Sequence, residues 1–346
     1  MKQMAQIRTA CIGTGYFSKF HYDAWRRIEN VELVASVSLN VDEARAENLP
    51  AFANCEEMLD AVAVDLVDII TPPSSHLELI GCCVDAGVNA IICQKPFCNS
   101  LAEAVKATKL CKDHGVLLVI HENFRFQPWY RVMKDMIENG SIGDPHQFTF
   151  RLRTGDGQGA RAYLDRQPYF QKMEKFLIRE TGVHWIDTFR FMFGQPKSVY
   201  ADLRKLNPVI AGEDAGYFIM EFDGGKRAIF DGNRHLDHAA ENCRTTLGEA
   251  LLEGNKGTIS LAGNGEVTFR CFGKQSKRVV LKAQNWNGFA GDCVHALQSH
   301  VASALLNGKP HENTADDYLS VLAIEEAIYE SALSGIKIYI SQPIAL

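Results

Sequence analysis

The sequence predicts an α/β protein in two parts: an N-terminal doubly wound parallel sheet, then an α/β domain with a large, mostly antiparallel sheet. Three observations predict it. A short apolar run at residues 10–12 meets Gly13 and Gly15, and a helix-compatible segment follows from about Phe17 to Ile28. Apolar strands and helices then alternate at the spacing of βαβ units to about residue 120. By about residue 145 the rhythm changes to short strand-like runs, several separated by turn signals such as Asp223-Gly224-Gly225 and Gly263-Asn264-Gly265. A chain of 346 residues is long enough for two cores. The boundary is placed at residue 123, giving domains of 1–123 and 124–346, with the last helices able to pack back on the first domain.

Taken in order, residues 31–38 read as a second buried strand, 56–61 as a helix, and 64–70 as a third strand. That strand ends in Thr71-Pro72-Pro73-Ser74-Ser75-His76, where two prolines stiffen the turn into either a wall for a flat ring or an ordinary rigid loop. Residues 77–86 carry apolar side chains at helical spacing up to Gly87, a helix stop. The strand at 89–93 delivers Gln94-Lys95-Pro96. Ser100, with Glu103 three residues on, has the form of a capping box for a helix that stops at Gly115. Residues 116–120 make one more strand, followed by Glu122-Asn123-Phe124-Arg125-Phe126-Gln127-Pro128. Strand-like runs follow near 146–152, 197–203, 217–222, 227–230, 243–252, 257–261, 266–272 and 278–281, and helices at about 291–306 and 314–333 close the chain.

Composition narrows the function. The formal net charge of −6 comes without a basic block, which argues against nucleic acid as the main partner. Nothing like a signal peptide precedes Ala10 and no apolar run is long enough to span a bilayer, so no membrane partner and a cytoplasmic address are expected. The ten cysteines include Cys11, Cys82, Cys83, Cys93 and Cys111 within apolar or helical stretches and form no Cys-x-x-Cys pair; they read as small, reduced core residues. Cys93 and Cys98 lack the His or second Cys pair that a zinc site needs, so no metal is expected.

The opening turn suits a dinucleotide. Gly13 would turn the chain with positive φ, and Gly15 would let the backbone approach a pyrophosphate lying against the helix N-terminus, although Ser18 stands where a third glycine is usual. Where the second strand ends, an acidic residue would hold the ribose hydroxyls; this chain has Ser38, Leu39 and Asn40, with Arg45 the nearest cation and Glu43 close by. That leaves NAD and NADP both open. Lys95 sits at the C-terminal end of a parallel strand, the edge where doubly wound sheets bind ligands, and could act as an acid or base there; a solvated surface lysine is the ordinary alternative. The segment 180–189 reads as a helix ending at Gly194, with Glu180, His184 and Asp187 on one face and Val183, Ile186, Phe189 and Phe193 towards a core. Such a face suits proton transfer, or is merely a solvated face. The Gly-rich stretch 154–169 that leads to it has the look of a mobile substrate-covering segment.

Gly13-x-Gly15 with His21, Thr71-Pro72-Pro73 with His76, Gln94-Lys95-Pro96, Asn123-x-Arg125 with Pro128, and Gly182-x-His184-x-x-Asp187 occur in the order and spacing of the Gfo/Idh/MocA oxidoreductases. The chain resembles that family over nearly its whole length. The resemblance implies a Rossmann domain binding NAD or NADP, a C-terminal domain whose open sheet serves as an oligomer interface, and a homodimer or homotetramer. It also implies oxidation or reduction of a carbinol on a sugar, polyol or sugar acid. Lys95 and His184 take the family's catalytic positions, with Glu180 where aspartate is usual. Gly13, Thr14, Gly15, Tyr16 and Phe17 would hold the cofactor, together with Ser38, Asn40, Thr71, Pro72, His76, Gln94, Lys95 and Asn123. Lys95, Asn123, Arg125, His184 and Asp187 would line the substrate pocket. Arg234 and His235 could add contacts suited to a carboxylate, unless Arg234 and Arg244 instead pair with Asp231, Glu241 or Glu249. Gln94 departs from the family's glutamate before the lysine. Two other activities share the fold: a redox-neutral isomerase or glycosidase with a retained nicotinamide, and a non-catalytic nucleotide-binding regulator.

Overall fold

The structure is a computed structural model that describes residues 6–340. Its described residues divide into two compact units, one running to Asn123 and including Val294–Ser320, the other made of Phe124–Cys293 and the chain from Val321 on.

In the first unit, β1 (Ile7–Ile12), β2 (Val31–Val37), β3 (Ala51–Phe52), β4 (Leu66–Ile69), β5 (Ala90–Gln94) and β6 (Leu117–His121) form a parallel sheet of order β3-β2-β1-β4-β5-β6. Strand order reverses between β1 and β4, which makes the C-terminal edge there the ligand crevice of a doubly wound sheet. The connecting helices are α1 (Ser18–Arg26), α2 (Val41–Arg45), α3 (Cys55–Ala61), α4 (His76–Asp85) and α5 (Leu101–Asp113). β4 and β5 are buried along their whole length, as expected of central parallel strands covered on both faces. The caps are local sequence choices. Asn54 Oδ1 accepts the Glu57 N–H at 2.9 Å to start α3, and Ser100 Oγ accepts the Glu103 N–H at 3.2 Å to start α5. Glu103 turns back to the N–H of Asn99 at 3.1 Å rather than to that of Ser100, so the box is shifted by one residue.

The second unit begins with α6 (Pro128–Glu138) and is built on β7 (Pro145–Leu152), β8 (Ser198–Arg204), β9 (Ala215–Glu221), β10 (Arg227–Asn233), β11 (Gly248–Gly254), β12 (Gly257–Leu261), β13 (Val267–Cys271), β14 (Arg278–Leu281) and β15 (Ile338–Tyr339). The order is β14-β13-β12-β11-β7-β10-β9-β8-β15, antiparallel except for the β7–β10 pair. One face packs on α7 (Val183–Phe193), where the Trp185 ring stacks on Phe150 at 4.0 Å and Phe189 meets Phe148 edge-on at 5.2 Å. Each such ring, fully buried, contributes on the order of 2 kcal/mol through area removed from water. α8 (Cys293–Asn307) and α9 (Ala315–Ser334) lie between β14 and β15 in sequence.

Three expectations change. The strand expected at 243–252 begins only at Gly248, because Leu247 takes a φ of 62° and the Thr246 hydroxyl bonds to the Gly248 carbonyl at 2.7 Å, which breaks the extended run. The helix expected from Glu180 is two pieces: a π-helical turn, Leu177–Gly182, runs into α7 at Val183. α6 was not anticipated, although Pro128 at its first turn and Trp129, Tyr130, Met133 and Met136 at 3–4 spacing carry its signal.

Candidate functional site

At the nucleotide end, Gly13 follows β1 with a φ of +115°, and a Cβ there would meet the Ile70 carbonyl oxygen at 2.8 Å. A Cβ on Gly15 would meet nothing within 4 Å, so the turn stays open where a pyrophosphate would pass. α1 begins three residues on, at Ser18, which puts the positive end of its dipole at that opening. Thr14, Tyr16 and Phe17 share this turn. The residues present fit a dinucleotide. At the end of β2 the structure adds what spacing along the chain hides: Glu43, from α2, accepts the Thr14 hydroxyl at 2.7 Å and the Asn40 amide at 3.2 Å, while Thr14 Oγ1 and Ser38 Oγ lie 2.9 Å apart. A carboxylate therefore stands beside Ser38 and Asn40 after all. Arg45 is paired with Asp42 at 2.7 Å instead.

The rigid turn after β4 is tied from behind by His76. Its Nε2 donates to the Thr71 carbonyl at 2.8 Å and its Nδ1 accepts the Cys98 N–H at 3.5 Å, so the Thr71-Pro72 turn and the chain after Lys95-Pro96 share one buried post. Burial pushes the His76 pKa down to about 4, only partly offset by the Thr71 contact. Lys95 lies half-buried at the end of β5, and its N–H donates to Gln94 Oε1 at 2.7 Å. Gln94 Nε2 lies 3.0 Å from His21 Nε2, and His21 Nδ1 lies 2.8 Å from Asp68 Oδ2. Asp68 Oδ2 also accepts from Trp25 at 2.7 Å and from Gln298 at 3.2 Å. Glu122 and Asn123, just beyond β6, are both buried; Glu122 Oε2 accepts from the Tyr318 hydroxyl at 3.2 Å.

In the second unit, His184 and Asp187 are buried rather than on a solvated face. The His184 ring lies flat on Phe124, with centroids 3.7 Å apart and planes at 4°, and Arg125 forks onto Asp187 through Nε at 2.8 Å and a second nitrogen at 2.5 Å. The Phe124–Phe126 turn thus covers the polar side of α7. Glu180 is half-buried on the π-helical turn. That turn is organised by the Glu213 carboxylate, which accepts the N–H groups of Phe176 and Ile178 at 3.1 Å each and the Tyr329 hydroxyl at 2.6 Å.

The anticipated partners of the arginines also change. Asp231 takes Arg153 at 2.5 Å and Glu249 lies 3.7 Å from Arg151, while Arg234 is buried, bonded to Thr181, 3.5 Å from Asp156 and over the Phe176 ring at 4.5 Å. Arg244 lies over Phe289 at 5.4 Å. Burial by itself would raise the Asp156 carboxyl, but the Arg234 and Arg166 charges hold it below its ordinary range. His235 Nε2 lies 2.8 Å from Asp214 Oδ2. The 154–169 stretch is stitched down: Gly155 and Gly157 donate to the carbonyls of Leu236 and Arg234 at 2.9 Å, and Asn207 donates to Gly157 and Gly159 at 2.7 and 2.9 Å. Arg234 and His235 are therefore anchors of this segment.

A reversed-order parallel sheet, an open Gly13–Gly15 turn at its C-terminal edge and a lysine at the end of β5 define a dinucleotide-binding enzyme of the doubly wound class. Comparison with known proteins agrees. Residues 7–122 match the oxidoreductase family with an NAD-binding Rossmann fold, and residues 130–260 match the GFO/IDH/MocA C-terminal domain. A D-apiose dehydrogenase of Paraburkholderia graminis is 30% identical, over 95% of this chain and 88% of its own. An inositol 2-dehydrogenase of Rhizobium meliloti is 25% identical over 97% and 99% of the two chains. A solved oxidoreductase of Agrobacterium radiobacter, in complex with NAD+, L-tartaric acid and magnesium, has a TM-score of 0.87 at 26% identity, over 97% of this chain and 98% of that one. The chain belongs to the Gfo/Idh/MocA oxidoreductases and is by that membership an NAD(P)-dependent oxidoreductase.

His76 generates a prediction. Its native pKa of about 4 lies below its ordinary 6.5, so the unfolded chain binds the proton first and stability is lost as pH falls from about 6.5 to 4. The loss should approach roughly 3 kcal/mol. Urea midpoints measured against pH should fall more steeply for wild type than for His76→Asn over that interval; parallel curves would refute the assignment.

Proposed function

We propose that this chain is an NAD-dependent dehydrogenase that oxidises a carbinol of a sugar, polyol or sugar acid. The observation that carries the reading is Lys95, held half-buried at the end of β5 on the same sheet edge as the open Gly13–Gly15 turn. The relatives named for apiose and inositol, and the neighbour holding L-tartaric acid, support the substrate class. The nicotinamide, when bound, supplies the hydride acceptor. Lys95 and His184 handle the hydroxyl proton, and Glu180 biases the His184 tautomer. Phe124, stacked on His184, fixes the plane of the imidazole, a positioning role that spacing along the chain did not reveal. Asn123 remains the candidate substrate contact nearest β6, while Arg125 and Asp187 satisfy each other and shape the wall around His184.

Glu43 supports NAD over NADP, since its carboxylate, bonded to Thr14 and next to Ser38 and Asn40, would repel a 2′-phosphate and accept from a 2′-hydroxyl. An assembly of two or four chains is also proposed. The face of the large sheet opposite α7 carries a row of Tyr200, Ile219, Ile229, Thr149 and Leu251 in register, bordered by charged rows that include Asp231, Arg151 and Glu249 on one side and Glu221 and Arg227 on the other. An apolar stripe framed by charge is the pattern of a protein–protein contact.

The primary test is the appearance of reduced nicotinamide from NAD with a panel of aldopentoses including apiose, inositols and sugar acids. Lys95→Met should lower turnover by at least about a thousandfold and leave NADH binding within a few-fold; unchanged turnover would sink the mechanism. For the cofactor, Glu43→Gln should narrow the ratio of NADPH to NADH dissociation constants by about tenfold, about 1.4 kcal/mol, as read by nucleotide fluorescence. For the assembly, light scattering should show Ile219→Lys/Ile229→Lys as a smaller particle than wild type, and an equal mass would remove the sheet face as the contact.

A further inference from the structure

The hydrogen-bond roles between Lys95 and Asp68 follow from one another. A backbone N–H can only donate, so the Gln94 atom 2.7 Å from the Lys95 nitrogen is the amide oxygen. The amide nitrogen then faces His21 Nε2 at 3.0 Å, and because that nitrogen has hydrogens and no lone pair to offer, Nε2 is the acceptor and carries no proton. The imidazole proton sits on Nδ1 and is donated to Asp68 Oδ2 at 2.8 Å. His21 and Asp68 are fully buried and Gln94 is 8% exposed, so water does not relax these roles.

We propose that Asp68, His21 and Gln94 form a positioning relay for Lys95, in which the buried carboxylate selects the Nδ1–H tautomer of His21 and thereby requires an amide, not a carboxylate, at position 94. The proposal rests on the reading of Lys95 as a proton-handling group. A glutamate at 94 would offer lone pairs in both directions. Towards the Lys95 N–H that is harmless; towards His21 Nε2 it sets lone pair against lone pair in a dry site, unless the cluster takes up one more proton, for which an imidazole nitrogen is ordinarily a more basic site than a carboxylate. Several other groups face His21 or lie close to it. Asp68 faces it from β4, and the His121 ring from β6 lies 4.0 Å away, centroid to centroid. Nearby, Cys11 on β1 and Cys93 on β5 are thiols that burial holds well above their ordinary range, and so neutral. Trp25 and Gln298 add neutral donors to Asp68. With glutamine at 94, the amide meets both neighbours with its own oxygen and its own hydrogens; a glutamate would need a further proton in the cluster to do the same.

The test is the protonation state of His21, read by multiple-bond proton–nitrogen spectra of 15N-histidine-labelled protein, with His21→Asn as the assignment control. Wild type should show protonated Nδ1 and bare Nε2 at neutral pH. Q94E should show His21 protonated on both nitrogens at neutral pH. With the substrate identified by the panel, its kcat/KM should fall roughly tenfold relative to wild type between about pH 7 and 9 while NADH binding stays within a few-fold. A wild-type spectrum with the proton on Nε2, or a His21 signal that Q94E leaves unmoved, overturns the relay. Because the wild-type spectrum decides by itself, a Q94E protein that fails to fold does not protect the proposal. Failure of the Lys95 reading is separable: it would appear as retained turnover in Lys95→Met, a measurement in which the His21 signal plays no part.

Discussion

A carboxylate with no access to water sits in the middle of the parallel sheet. Asp68 occupies β4, paired in register with Cys11 on β1 and Ile92 on β5, and one of its oxygens gathers donors from His21, Trp25 and Gln298. Burying an ion without partners costs several kcal/mol, so the native state exists only if those donors are delivered. Two come from α1 and one from α8, and both helices are thereby fixed against β4. Because α1 begins three residues beyond Gly15, fixing α1 fixes the mouth of the nucleotide turn. Because His21 passes the contact on to Gln94, the same charge reaches the backbone of Lys95. One electrostatic requirement therefore sets the cofactor end and the proposed proton-handling end of the sheet edge together.

The second unit solves a different problem by the same means. Its α7 is buried on every side, which is affordable for an amphipathic sequence only if each polar side chain is met. Arg125 meets Asp187 with a bidentate fork, and Phe124 covers His184. Removing one partner of such a buried pair typically costs about 3–5 kcal/mol, so this contact constrains the position of α7 as strongly as the aromatic packing on its other side. The Glu213 carboxylate does the equivalent for the π-helical turn, capping N–H groups at its start that have no partner within the helix. The wide turn places Thr181 against Arg234 and leaves Glu180 half-buried.

What could be read from the sequence follows from the range of the interactions involved. The parallel sheet was legible because apolar runs and helix stops are local signals, and the glycine turn because φ at Gly13 is a property of one residue. The family-like order of motifs was legible for the same reason. Glu43 was not: the sequence places it five residues beyond Ser38, and only a short helix capped by Asn40 swings it back to Thr14. The pairing of the arginines was lost for a related reason. Arg234 and Asp156 are distant in sequence, and choosing among Asp156, Asp231 and Glu249 as partners requires the register of β7, β10 and β11, which no residue announces. The helix face of Glu180, His184 and Asp187 was inferred from a 3.6-residue period that the π-helical turn does not keep. The 154–169 stretch looked mobile because its composition is that of a loop, but its backbone is claimed by Asn207 and by the chain just beyond β10, contacts that composition does not report.

Gln94 shows how a single departure from a family pattern acquires meaning only in context. Read along the chain, it is a carboxylate lost beside a lysine, and the natural inference concerns Lys95 alone. In the structure the amide has two separate tasks, accepting from the Lys95 N–H and donating to His21. A carboxylate can perform the first and not the second. The substitution therefore concerns the proton inventory of a buried cluster: an acid at 94 needs one further proton in that cluster, and the amide carries its own hydrogens. Asp68 makes the distinction consequential, because His21 Nδ1 is already committed to its carboxylate at 2.8 Å. Position 94 and the hydrogen-bond roles of His21 are thus coupled.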